Sequence, residues 1–249
     1  MSAYHRMMQV FNGGFDHGMV VWTKFQIPPG QELDTDEWAA YFQPLIHAEG
    51  HKESVWAKAP EEGNPNIVLL ATAWYTTAAL REFAASPSAQ LFREDLASRG
   101  ITPLLRFETL RWGGNWFDAL SRSEYTQLHW IYFAAPLTDG EYARISDIRG
   151  MEPPGSGSGV PHHRNLQVAR DEKLWATQTD GQHGQETQLV LWAHFWGDEE
   201  KAEWRFDAQR TTINRDGLTQ EEGFIKRFEE AEPILWKEGI YDFKTLPRF

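Results

Sequence analysis

The feature that most constrains this chain is that it runs through one order of elements twice. Met19–Ile27 reads as a strand stopped by Pro28-Pro29-Gly30. A helix follows, capped near Asp34 or Asp36, with Trp38, Phe42, Leu45 and Ile46 on one face. Ser54–Ala57 and Asn66–Trp74 read as strands. Thr76 or Thr77 caps a second helix through Leu80 and Phe83, which Pro87 interrupts and Leu91, Phe92 and Leu96 continue to Gly100. Leu104–Leu110 is a fourth strand, so the first half reads β-α-β-β-α-β, the split βαβ unit. The order then restarts. Leu128–Ala134, Asn165–Ala169, Gln188–Trp196 and Ile240–Leu246 read as strands. Helices open at Thr138 or Asp139 and at Asp198, with more helix over Gly223–Trp236.

Residues repeat as well as elements. Trp22 and Trp130 are each followed three positions later by Phe25 and Phe133. Ala71-Thr72-Ala73-Trp74 matches Ala193-His194-Phe195-Trp196, and Phe107–Leu110 matches Phe243–Leu246. The polar link Gly113–Thr126 contains Gly113-Gly114, which places a boundary between modules 1–114 and 115–249. A four-stranded sheet with both helices on one side leaves its other face bare, and that face must be covered. The expected fold is therefore α+β: two tandem ferredoxin-like modules whose antiparallel sheets pack into one α/β barrel around a central cavity. With both modules in one chain, the barrel closes on itself, so a monomer or weak homodimer is expected. The second module is longer at Met151–Val160 and Gln209–Gly223, and the first of these reads as a loop bordering the cavity mouth.

Composition excludes several classes. A formal net charge of -12 argues against nucleic acid as the main partner. No run of about 18 apolar residues offers a membrane span, and no secretion signal is evident at the start, so the cytoplasm is the expected location. With Cys 0 there is no disulfide framework and no thiolate ligand or nucleophile. The 12 Trp and 15 Phe are partly core and partly suited to walls around a flat apolar ligand.

The element order, the spacing and the first strand His129-Trp130-Ile131-Tyr132-Phe133 resemble the dimeric α/β-barrel superfamily. That group holds antibiotic-biosynthesis monooxygenases, EthD-like proteins and polyketide cyclases, and the resemblance spans nearly the whole chain as a tandem fusion. Aromatic richness and the tandem layout also resemble fungal secondary-metabolite pathway proteins. The resemblance implies a small hydrophobic substrate held between the sheets, and often no cofactor.

Candidate chemistry follows by elimination and by position. His47 and His51 have helical ligand spacing without an HExxH pattern, so no metal is expected. No GxGxxG, Walker pattern or nucleophile elbow is present, so no cofactor and no Ser-His-Asp triad are expected. General acid–base work remains. His194 and His129 stand mid-strand among aromatics, where an imidazole needs a partner or a purpose. His194 is expected as base or acid, His129 as its partner and Tyr132 as a hydroxyl donor. Trp22, Lys24, Trp74, Trp130, Trp192, Trp196 and His163 are the candidate substrate-binding set. If Trp192, His194 and Trp196 face the cavity, then Leu189, Leu191, Ala193 and Phe195 face the helices. On the first strand the resemblance places His129 inside, whereas alignment with Trp22 and Lys24 places Trp130 and Tyr132 inside. Val21 and Thr72 stand in the first module where the second has His129 and His194, so histidine chemistry is expected in the second module and the first reads as mainly structural. The expected activity is cofactor-independent cyclisation, dehydration or isomerisation of an aromatic or polyketide-like compound. The alternatives are a cofactor-free monooxygenase and a non-catalytic binding protein.

Overall fold

The computed structural model describes residues 18–59, 64–110, 116–148, 150–151, 163–167, 187–206 and 217–249. In the first module β1 (Met19–Gln26), β2 (His51–Lys58), β3 (Ile67–Trp74) and β4 (Thr102–Leu110) form an antiparallel sheet in the order β4-β1-β3-β2. Helices α1 (Asp36–Tyr41) and α2 (Gln43–Ile46) follow β1, and α3 (Thr77–Ala85) and α4 (Pro87–Ser98) follow β3. Each start has a local cause. The hydroxyl of Thr35, rather than Asp34 or Asp36, caps α1, and Thr76 and Ser86 cap α3 and α4 with Pro87 in the first turn of α4. Gly100, at φ +76, ends α4 in the left-handed conformation that glycine adopts without steric cost.

The second module follows the same order. Strands β5 (Thr126–Ala134), β6 (His163–Gln167), β7 (Thr187–Phe195) and β8 (Leu235–Tyr241) form an antiparallel sheet in the order β6-β7-β5-β8. Its helices are α6 (Asp139–Ser146), α7 (Glu199–Glu203) and α8 (Gln220–Glu229), with α5 (Trp116–Arg122) lying in the expected polar link. Thr138 with Glu141, and Thr219 with Glu222, form capping boxes at α6 and α8. Both sheets thus have the ferredoxin-like strand order.

Three expectations require correction. The helix read over Gly223–Trp236 stops at Glu229, and Trp236 lies in β8. The segment Phe243–Leu246, matched to Phe107–Leu110, is not the fourth strand of its own sheet. Its β9 (Lys244–Thr245) crosses to the first sheet and pairs with β2, Val55 opposite Thr245 and Trp56 opposite Lys244. The resemblance in letters reflects burial: Phe243 packs between the sheets and Leu246 under the first sheet's helices. Finally, the described strands form two separate sheets, not one closed barrel.

The sheets pack face to face through a filled core. Trp22 stacks on Phe107 with ring centroids 6.2 Å apart, and Phe107 meets Trp130 edge-on at 5.5 Å. Trp22 donates its indole N–H to Thr109 at 2.9 Å, and Trp130 donates to the Tyr241 hydroxyl at 3.3 Å. The Lys24 ammonium sits 4.3 Å from the Trp130 ring centre, a cation–π contact. Each sheet's second face carries its own core under the helices. Strand alternation then fixes every side chain's layer. On β7, Leu189, Leu191, Ala193 and Phe195 meet the opposite sheet, while Val190, Trp192 and Trp196 lie under the helices. This is the opposite of the arrangement in which Trp192, His194 and Trp196 would face the space between the sheets. Leu191 is paired with Trp130, which belongs to the aromatic stack between the sheets, so its neighbours Trp192 and Val190 must face away. Trp130 carries three of these contacts at once. Trp130→Ala is expected to lower stability by roughly 3–5 kcal/mol, the usual cost of deleting a buried large aromatic, read as a lower urea midpoint.

Candidate functional site

The predicted site residues divide among three layers. Trp22, Lys24, Trp130 and Tyr132 stand between the sheets. Trp74 lies under the helices of the first sheet, and Trp192 and Trp196 under those of the second. Tyr132 and His129 are therefore on opposite faces of the second sheet, so Tyr132 is not placed to work beside the histidines. His163 is paired in register with His194. Of the segment Met151–Val160, only Met151 lies within the described residues.

His129 and His194 do meet. Their rings are edge to face at 5.2 Å, and Phe224 of α8 closes over both at 5.1 and 4.9 Å. Trp196 stacks on His194 at 5.7 Å, and Trp236 stands edge-on to His129 at 5.6 Å. His194 Nε2 accepts the backbone N–H of Met151 at 3.0 Å, which places the ring proton on Nδ1. His129 Nδ1 accepts the Trp236 indole N–H at 3.3 Å, which places its proton on Nε2. Burial, helped by the positive charge of Arg205, pushes the His129 pKa down to about 3. The Glu238 carboxylate is 3.4 Å from His129 Nδ1, but with the ring neutral and Glu238 half in water this is no ion pair. Gln127 bridges the group to its edge, accepting from the Trp196 indole at 3.1 Å and donating to Glu238 at 3.4 Å.

The first module holds a cavity of about 540 Å³ between its sheet and α3 and α4. Val21, Leu70 and Trp74 contribute to its floor, Leu80, Phe83, Phe92 and Leu96 to its roof, and Arg81, Arg93 and Arg106 also line it. This size and apolar character suit a small-molecule ligand. Glu108 is 1% exposed and paired with Arg81 and Arg106 at 3.2 and 3.1 Å. One row of register partners crosses this face: Ser54, Thr72, Val21 and Glu108, from β2, β3, β1 and β4.

Two polar members of that row belong to a longer chain. The Arg248 guanidinium donates to His51 Nδ1 at 3.0 Å. Arginine only donates, so the His51 proton is on Nε2, which donates to Ser54 Oγ at 2.9 Å. Ser54 donates to Thr72 Oγ1 at 3.1 Å, and Thr72 lines the cavity. Burial first, then the Arg248 charge, pushes the His51 pKa down to about 4. His51, weighed above with His47 as a ligand pair, thus uses both ring nitrogens within this chain. Among the described residues no group of three or more His, Asp or Glu is arranged to hold a metal. No described helix is long and apolar enough to cross a membrane.

Sequence reasoning missed this cavity because it set Trp22, Lys24 and Trp74 of the first module around a space between the sheets and otherwise read that module as mainly structural, for want of imidazoles at Val21 and Thr72. Thr72 figured as the blank where His194 has a ring. Its connection to His51 runs through Ser54, and pairing across strands is not written in letter order.

No family model matches the chain, and no curated protein matches it. Solved structures resemble it loosely. An anthrone oxidase-like protein aligns over 94% of this chain and 95% of its own, with TM-score 0.49 and 14% identity. A candidate monooxygenase from Fusobacterium nucleatum aligns over 94% of both chains, with TM-score 0.47 and 9% identity. A candidate antibiotic biosynthesis monooxygenase from Chloroflexus aurantiacus aligns over 39% of this chain and 95% of its own, with TM-score 0.30 and 21% identity. At these levels of overlap no activity is transferred, and the residues themselves carry the functional argument.

The buried histidines predict acid sensitivity. His51 and His129 titrate near 4 and 3 when folded but near 6.5 when unfolded. The unfolded chain therefore takes up protons first as pH falls below about 6.5. The stability these neutral rings contribute is fully present above that pH and is lost on descent toward 4 and 3, at about 1.4 kcal/mol per unit of depression. Urea midpoints measured from pH 7.5 to 4.5 should fall, and less steeply in His129→Gln.

Proposed function

We propose that this chain is an enzyme for an apolar small molecule carrying a carbonyl or phenolic oxygen, held in the cavity of the first module. The supporting observation is that cavity: about 540 Å³ with apolar floor and roof, a few convergent polar groups and three arginines in its lining. The proposed chemistry is cofactor-independent cyclisation, dehydration or isomerisation by way of an enolate, with the α-proton leaving to solvent water and the enolate oxygen stabilised in the cavity. Cofactor-free oxygenation is the alternative outcome in the same cavity, with the substrate carbanion reacting with oxygen. The unit acting is proposed to be a monomer of two modules, 1–114 and 115–249.

A second reading places the proton transfer at His194 and His129, favoured by their 5.2 Å contact and the neutrality of His129. A hydrogen bond from Met151 to His194 Nε2 counts against it, because that nitrogen is already engaged.

Aromatic ketones incubated with the protein in D2O, with and without oxygen, and followed by NMR separate these readings. In the first, Ala84→Trp, at a residue of α3 that lines the cavity, fills it and removes α-proton exchange, while His194→Gln retains it. In the second, His194→Gln loses roughly 10²–10⁴-fold and Ala84→Trp does not. Oxygen consumption that tracks product formation would favour the oxygenase outcome.

A further inference from the structure

We propose that the Thr72 hydroxyl is the ligand-binding group of the first-module cavity, donating a hydrogen bond to a carbonyl or enolate oxygen. Arg248, His51 and Ser54 act as residues that orient and polarise it. This rests on the reading of the cavity as a ligand site and names the group that selects the ligand.

The argument is one of direction. Each link in the chain has its donor fixed by the one before. Arg248 has only protons to give, so His51 must accept at Nδ1 and donate from Nε2. Ser54 Oγ, receiving that proton, turns its own toward Thr72. Thr72 Oγ1 is thereby committed as an acceptor to Ser54, and its own proton has no acceptor among the described residues. Thr72 is 3% exposed and lines the cavity, so this proton is turned toward the cavity and, among the described residues, meets no partner there. A buried donor in that state costs free energy unless a ligand supplies an acceptor. Bonds running in one sense polarise one another, and the sense here carries positive character from the guanidinium to the cavity. Such a donor favours an oxygen that gains negative charge, as the oxygen of an enolate does. His51 stays neutral and keeps this sense at ordinary pH, because burial and Arg248 both disfavour its protonation.

The ligand class follows: a ring compound apolar over most of its surface, with one acceptor oxygen directed at β3. Arg93, with the charge of Arg81 and Arg106 in excess of their shared partner Glu108, adds preference for an anionic form over its neutral parent.

Two probes of nearly equal shape isolate the hydrogen bond: 1-tetralone, which carries the ketone oxygen, and tetralin, which lacks it. Saturation-transfer NMR titrations of the full chain should show 1-tetralone bound about threefold to tenfold more tightly than tetralin, the range of one net hydrogen bond. Thr72→Val keeps the shape and removes the donor, so the ratio should fall to about one while tetralin binding is retained. Thr72→Ser should restore the preference, and Ser54→Ala should reduce it without abolishing it. A general loss of packing would weaken both probes together and leave their ratio unchanged. Equal binding of the two probes by the wild type, or an unchanged ratio in Thr72→Val, overturns the donor assignment and leaves the cavity standing. Failure of both probes to bind, or binding that persists in Ala84→Trp, overturns the cavity reading and the donor assignment with it.

Discussion

Both faces of each sheet are covered, and most of the molecule follows from that constraint. One face meets the other sheet and one meets helices, so the inner strands have almost no solvated side on which to place polar residues. β3, Ile67–Trp74, is buried at every position, and so is β7, Thr187–Phe195. Any polar side chain in such strands must find a partner within the protein. Glu108 finds two guanidinium groups, His194 a backbone amide, Gln127 an indole, and Ser54 both an imidazole and a hydroxyl. The polar chemistry of the chain is concentrated where the fold tolerates it least, which is why those residues are informative.

The doubled element order was legible because it rests on local signals. Capping hydroxyls at Thr76 and Thr138, the proline opening α4 and the apolar runs of β3 and β7 each act within a few residues. Layer assignment was not legible, since neighbours on a buried strand are both apolar and alternation alone does not say which side is which. Trp192 and Leu191 illustrate the difficulty: either could face the helices until pairing with Trp130 settles it. The match of Phe243–Leu246 with Phe107–Leu110 misled for a related reason. A short segment with apolar ends records that those ends are buried but not which sheet it joins: Phe243 and Leu246 are buried, and β9 between them pairs with the other sheet.

The two modules place a polar side chain at comparable points on their third strands, Thr72 on β3 and His194 on β7, each on the helix face. What surrounds them differs. Thr72 ends a chain of donors at an open cavity, whereas His194 is capped by the Met151 amide and packed against Phe224. The larger ring anchors a neighbouring segment, and the smaller hydroxyl leaves space. The residue that looked like chemistry from its identity is the one more firmly enclosed.

The crossing of β9 to the first sheet also bears on how the protein comes into being. It carries the chain back to the first module and sets Arg248 on His51, 197 positions away. A ribosome releases β1–β4 and their helices long before it makes that arginine. Any cavity formed in that interval lacks the cation that orients its donors, and His51 Nδ1 lacks this donor. The cavity's polar end is therefore completed only after the second module has been synthesised, which couples its ligand-recognising form to translation of both halves.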